Sequence, residues 1–152
     1  MKGLVIPRTS VLYALCLCGL VSCTAARVKG DMYVFEANRT SRIPVSLTHL
    51  QNEYYLKTIY LRQKRFDRLQ HLLATQRVAR PDKDRYDLNA RMYLVFVYRG
   101  DTTEIAVDRG ATVCYDWQCY QIDRDAARWI SRLFTAKEKK RYVPIAFSML
   151  PK

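Results

Sequence analysis

The sequence predicts an α+β domain: a single antiparallel sheet of about five to seven strands, with a meander in its C-terminal half, packed by two helices. Three observations carry this. Residues 91–99, RMYLVFVYR, are apolar on both faces, as a central strand requires. Short alternating segments follow it, separated by tight-turn residues. Two other segments, 62–76 and 123–140, carry their apolar residues at helical spacing.

Taken in order, DMYVFEAN (31–38) reads as a strand and NRTSRIPVS (38–46) as a loop around Pro44. YYLKTIYL (54–61) is rich in β-branched and aromatic residues and reads as a second strand. In RQKRFDRLQHLLATQ (62–76), Phe66, Leu69, Leu72 and Leu73 form one stripe and the arginines lie elsewhere, so an amphipathic helix is expected. RVARPDKDRYDLNA (77–90) is a polar connection in which Pro81 stops the helix.

The central strand puts Met92, Leu94, Phe96 and Tyr98 on one face, and Tyr93, Val95 and Val97 on the other. Gly100-Asp101 turns the chain into TTEIAVD (102–108), with Ile105 and Val107 inward. Asp108-Arg109-Gly110 turns it again. In 123–140, Asp123 is a fitting N-cap, and Ala126, Trp129, Ile130 and Leu133 make the buried stripe. Arg124, Arg128 and Arg132 recur on the opposite side at intervals of four. VPIAFSML (143–150) reads as a final strand or a docked tail.

ATVCY and QCYQI (111–115, 118–122) form the last hairpin. A two-residue turn at Asp116-Trp117 pairs Tyr115 with Gln118, Cys114 with Cys119, and Val113 with Tyr120. That register puts Ala111, Val113, Tyr120 and Ile122 on one face, and Thr112, Cys114, Cys119 and Gln121 on the other. The polarity pattern and the cysteine pairing agree independently, so a Cys114–Cys119 disulfide is expected. The clamped tip, Tyr115, Asp116, Trp117 and Gln118, is a candidate partner-binding knuckle, because rigid aromatic loops suit hot spots.

The opening of the chain has a different logic. Residues 1–10 carry Lys2 and Arg8 and no acid, and residues 11–22, VLYALCLCGLVS, are apolar. A basic start and a short apolar run read as a secretory signal peptide, too short to span a bilayer. Leu20-Val21-Ser22-Cys23 resembles a bacterial lipobox. The resemblance implies that Cys23 becomes the lipidated N-terminus. Cys16 and Cys18 follow leucines where a small residue is needed, so they read as apolar filler.

The expected organisation is therefore signal peptide 1–22, anchor and tether 23–30, and a single domain 31–152. Thr24 after the cysteine resembles the outer-membrane sorting pattern, and no acidic run of the kind some surface-exported lipoproteins carry follows it, so an outer-membrane anchor facing the periplasm is expected. Cleavage after Ala25 or Ala26, giving a secreted soluble protein, is the alternative.

The formal net charge is +12, so anionic partners suit the surface. Export argues against nucleic acid and favours an envelope protein or anionic polymer. Arg124, Arg128 and Arg132 are the candidate anion-binding residues, with the basic run Lys137–Arg141 after them, although such a run is more often simply solvated. Catalytic signatures are scarce: there is no nucleophile elbow, phosphate loop or metalloprotease motif, and of the two histidines His71 lies on the polar side of the first expected helix and His49 near a loop. Asp82 and Asp84 start a calcium-loop pattern that Tyr86, Asp87 and Tyr93 break. No cofactor or metal is expected. A non-catalytic binding module, in its sharper form inhibitor- or immunity-like, is the leading expectation. A small periplasmic hydrolase is the alternative.

Overall fold

The computed structural model describes residues 26–36, 44–76, 78–80, 88–116 and 118–150. In chain order the elements are β1 (Arg27–Val34), α1 (Leu47–Glu53), β2 (Tyr55–Arg62), α2 (Gln63–Ala74), β3 (Val78–Ala79), β4 (Ala90–Tyr98), β5 (Asp101–Asp108), β6 (Thr112–Tyr115), β7 (Gln118–Gln121), α3 (Arg124–Ser131), α4 (Ala136–Tyr142) and a 3-10 helix (Ile145–Met149). The strands form one seven-stranded sheet in the order β2-β1-β4-β5-β6-β7-β3. Every pairing is antiparallel, and β4 to β7 make the expected meander.

Alternation along β4 builds two apolar layers. Met92, Leu94 and Phe96 enter the larger core with Ile105, Val107 and Val113. Helix α2 buries Phe66, Leu69 and Leu73 in that layer, and α3 adds Ala126, Ala127, Trp129 and Ile130. On the other face, Tyr93 packs with Phe35, Leu47, Leu50, Ala106 and the two cysteines. A bulge between Ala90 and Met92 interrupts β4, and Arg91 within it is fully buried with its guanidinium 4.9 Å from the centre of the Phe35 ring. Burial and nearby Arg109 hold Arg91 below the ordinary guanidinium value, while Asp108 opposes them.

Several expectations are corrected. The first strand begins at Arg27, not Asp31, so residues 27–30 are no tether. Val28 is fully buried, and β1 pairs on both sides, with Gly30 opposite Ile59 and Phe96. The turn after β4 is Arg99-Gly100, one residue earlier than read, with φ of 54° and 89°. Both residues are left-handed, as a two-residue hairpin of the primed type demands.

The helix expected over 123–140 is two helices. Thr135 caps α4 in a reciprocal capping box with Glu138, and the chain turns between α3 and α4. Helix α1, which no strong periodicity announced, starts at the Ser46 cap and buries Leu47 and Leu50. The polar connection contains the short strand β3 on the edge of β7. The tail 143–150 docks as a 3-10 helix through Phe147 rather than adding a strand.

Candidate functional site

Helices α3 and α4 and the C-terminal 3-10 helix enclose an open groove of about 370 Å³. Arg124 and Arg128, one helical turn apart on α3, line it together with Lys139 from α4. Ala127, Val143, Pro144, Ile145 and Phe147 supply its apolar surface. The result is an amphipathic trough with three cations over a hydrophobic floor. Ile145 of this lining is 54% exposed, and Met149, on the same 3-10 helix, is 76% exposed.

Hydrogen bonds fix the ends of the helices that carry the groove residues. The Asp123 side chain accepts from the Ala126 N–H at 2.7 Å and caps α3. Gln76, at the end of α2, donates to Asp123 Oδ2 at 2.9 Å and accepts from the Asp123 N–H at 2.7 Å. This reciprocal pair fixes where α3 starts, and so where Arg124 sits. At the start of α4, Lys57 of β2 donates to Glu138 at 2.6 Å, and the Glu138 carboxylate also accepts from the Thr135 N–H at 2.8 Å. The hydrogen bond from Lys57 is the main reason the Glu138 carboxyl lies below its ordinary value. Arg141 donates to Glu36 at 2.8 Å and ties α4 to the chain beyond β1.

Arg124 and Arg128 are thus brought together as expected. Arg132 is not among the groove residues; it is the C-cap of α3. Arg128 also donates to Asp125 at 3.2 Å, an exposed pair. Lys139 belongs to the basic run 137–141 that the sequence also offers to anions; its meeting with Arg124 and Arg128, and the apolar floor, come from separate elements that the turn between α3 and α4 folds back.

The hairpin has the expected register: Tyr115 opposite Gln118, Cys114 opposite Cys119, and Val113 opposite Tyr120. Cys114 and Cys119 are disulfide-bonded, with Cα atoms 4.0 Å apart, and both are buried. Three residues of the tip, Tyr115, Asp116 and Gln118, are among the described residues. Tyr115 packs inward against the main core, and burial, with Asp116 adding, pushes its hydroxyl above the ordinary tyrosine value. Asp116 and Gln118 are exposed, and Gln118 accepts from the Tyr120 hydroxyl. Asp116 has φ of 50°, which an aspartate in a turn tolerates.

Trp117 lies outside the described residues, as do Cys23, residues 1–22, Pro81 and residues 82–87. The histidines lie on opposite faces of the sheet: His49 on α1, 3.4 Å from Glu53, and His71 on α2. Neither lines the groove. Among the described residues no three His, Cys, Asp or Glu side chains converge as a metal site, and no helix is long and apolar enough to cross a membrane. Compared with protein-family models, curated proteins and solved structures, the chain matches none.

Proposed function

We propose that this protein is a lipid-anchored envelope lipoprotein that acts as a non-catalytic binding module, and that its groove takes an acidic, partly apolar segment of a protein partner. The observation that carries the binding role is the joining of Arg124, Arg128 and Lys139 to the apolar floor of Val143, Pro144, Ile145 and Phe147. A purely anionic polymer has little use for that floor. A peptide with carboxylates flanking apolar side chains satisfies both halves, the cations steering and the floor adding burial. Cys23 and the preceding segment support the anchor. The Cys114–Cys119 bond fits an oxidising compartment.

Selection of displayed random peptides on the purified protein tests the reading. Enriched sequences are expected to combine Asp or Glu with apolar residues. They should lose binding to the Arg124→Glu, Arg128→Glu variant, whose melting temperature stays near that of the parent. Enrichment indifferent to the charge reversal contradicts the assignment. Tighter binding of polyphosphate than of any selected peptide would move it to an anionic polymer.

A further inference from the structure

We propose that the end of the sheet carrying Arg27, Arg62, Lys64, Arg65 and Arg99 is a membrane-contact surface, lying on anionic lipid headgroups. This rests on the reading of Cys23 as the lipid anchor. The first argument is reach. At about 3.5 Å per residue, the chain from Cys23 to Arg27 covers no more than roughly 14 Å in any conformation. Strand β1 starts at Arg27, and Val28 is already buried. An acylated Cys23 therefore holds the start of β1 at the headgroup layer, with no long tether to carry the domain away.

The second argument is what the topology collects there. Arg27 stands directly opposite Arg62, the last residue of β2. Helix α2 follows without a break, so Lys64 and Arg65 occupy its first turn at the same end, and the Gln63 N–H donates to the Ala26 carbonyl at 3.0 Å. Because Lys29 pairs with Val97, the antiparallel ladder brings Arg99 of the β4–β5 turn to this end as well. All five cations are exposed; Asp67 follows Lys64 and Arg65 on α2, and Asp101 begins β5 two residues after Arg99.

This arrangement is unfavourable for the isolated domain. Like charges directly opposite on paired strands repel. Cations in the first turn of a helix oppose its dipole, and α2 has neither a first-turn acid nor a side-chain cap. An anionic bilayer surface relieves both conflicts, and each Lys or Arg near such a surface strengthens association by about fivefold. The same orientation leaves the groove free. Arg141 of α4 bonds to Glu36 beyond the far end of β1, and Asp123 begins α3 just after Gln121, which pairs with Thr112 near that far end.

The test uses the full lipidated protein in vesicles of phosphatidylcholine alone or mixed with phosphatidylglycerol. A water-soluble amine reagent labels exposed lysines, and mass spectrometry reads each site. Lys64 labelling should fall at least fivefold in the anionic vesicles relative to the neutral ones, and recover in high salt. Lys139 should label equally in both. The Arg62→Gln, Arg65→Gln, Arg99→Gln variant should lose most of the Lys64 protection. Equal Lys64 labelling in both vesicles overturns the proposal. Protection in detergent without a bilayer also overturns it, and points to a second copy of the chain on this end. The anchor reading fails separately, by an intact mass that lacks acyl chains.

Discussion

Gly30 of β1 lies directly opposite Phe96 of β4, and the Phe96 ring fills the space that a side chain at Gly30 would occupy. Phe96 also packs on Phe66 of α2, with ring centroids 5.1 Å apart, so one glycine lets an aromatic ring bridge the sheet and its covering helix. Gly30→Ala should lower stability by about 1–3 kcal/mol through overpacking. Urea midpoints of the single variants and of Gly30→Ala, Phe96→Leu check it. The double variant should lose less than the sum, because the smaller side chain makes room.

The hairpin disulfide closes a short loop. By the chain-entropy relation its removal should cost about 2 kcal/mol. The Cys114→Ala, Cys119→Ala variant and the reduced parent should show similar denaturation midpoints, both below that of the oxidised parent. Both cysteines are buried in the smaller core, so alanine, not serine, isolates the cross-link.

Gln76 is buried and clamps the end of α2 to the start of α3 through its two bonds with Asp123. Gln76→Ala leaves the Asp123 N–H and one carboxylate oxygen without these partners and should cost about 1–3 kcal/mol. Hydrogen exchange should rise in the first turn of α3, and affinity for the selected peptides should fall although Gln76 does not line the groove.

The Lys57–Glu138 pair makes acid stability a local question. The carboxyl of Glu138 is lowered in the folded chain, first by its hydrogen bond from Lys57. The folded state therefore binds that proton less readily than the unfolded one. The contribution is present above the unfolded carboxylate value and is lost as pH falls through the lower folded value. Glu138→Gln keeps a capping side chain and removes the charge. It should cost about 1 kcal/mol at neutral pH and flatten the acid limb of the stability–pH curve. Denaturation midpoints across pH 2–7 check this.

The hairpin register was legible because two constraints, polarity alternation and cysteine pairing, select the same alignment. Strand β4 was legible because both its faces are apolar. Helix α1 was not, since seven residues with Leu47 and Leu50 as anchors give little periodicity, and the sheet face above them decides the structure. The break between α3 and α4 did have a signal, the Thr135–Glu138 spacing of a capping box, overshadowed by the continuous charged run after it. The start of β1 was hidden because Arg27 and Lys29 make the segment look like a basic tether, although Val28 alternates inward. For the groove, the spacing of Arg124 and Arg128 was readable along one helix. The basic run holding Lys139 was readable too, but its approach to α3 and the apolar floor were not, because tertiary folding alone brings them there.

Whether this protein is a lipid-anchored, oxidised envelope module is read from its intact mass, taken from native membranes with and without reduction and alkylation. The expected mass is that of residues 23–152 plus acyl chains, with the Cys114 and Cys119 thiols appearing only after reduction. A mass starting near Arg27, without lipid, would contradict the anchor and make the protein freely diffusing.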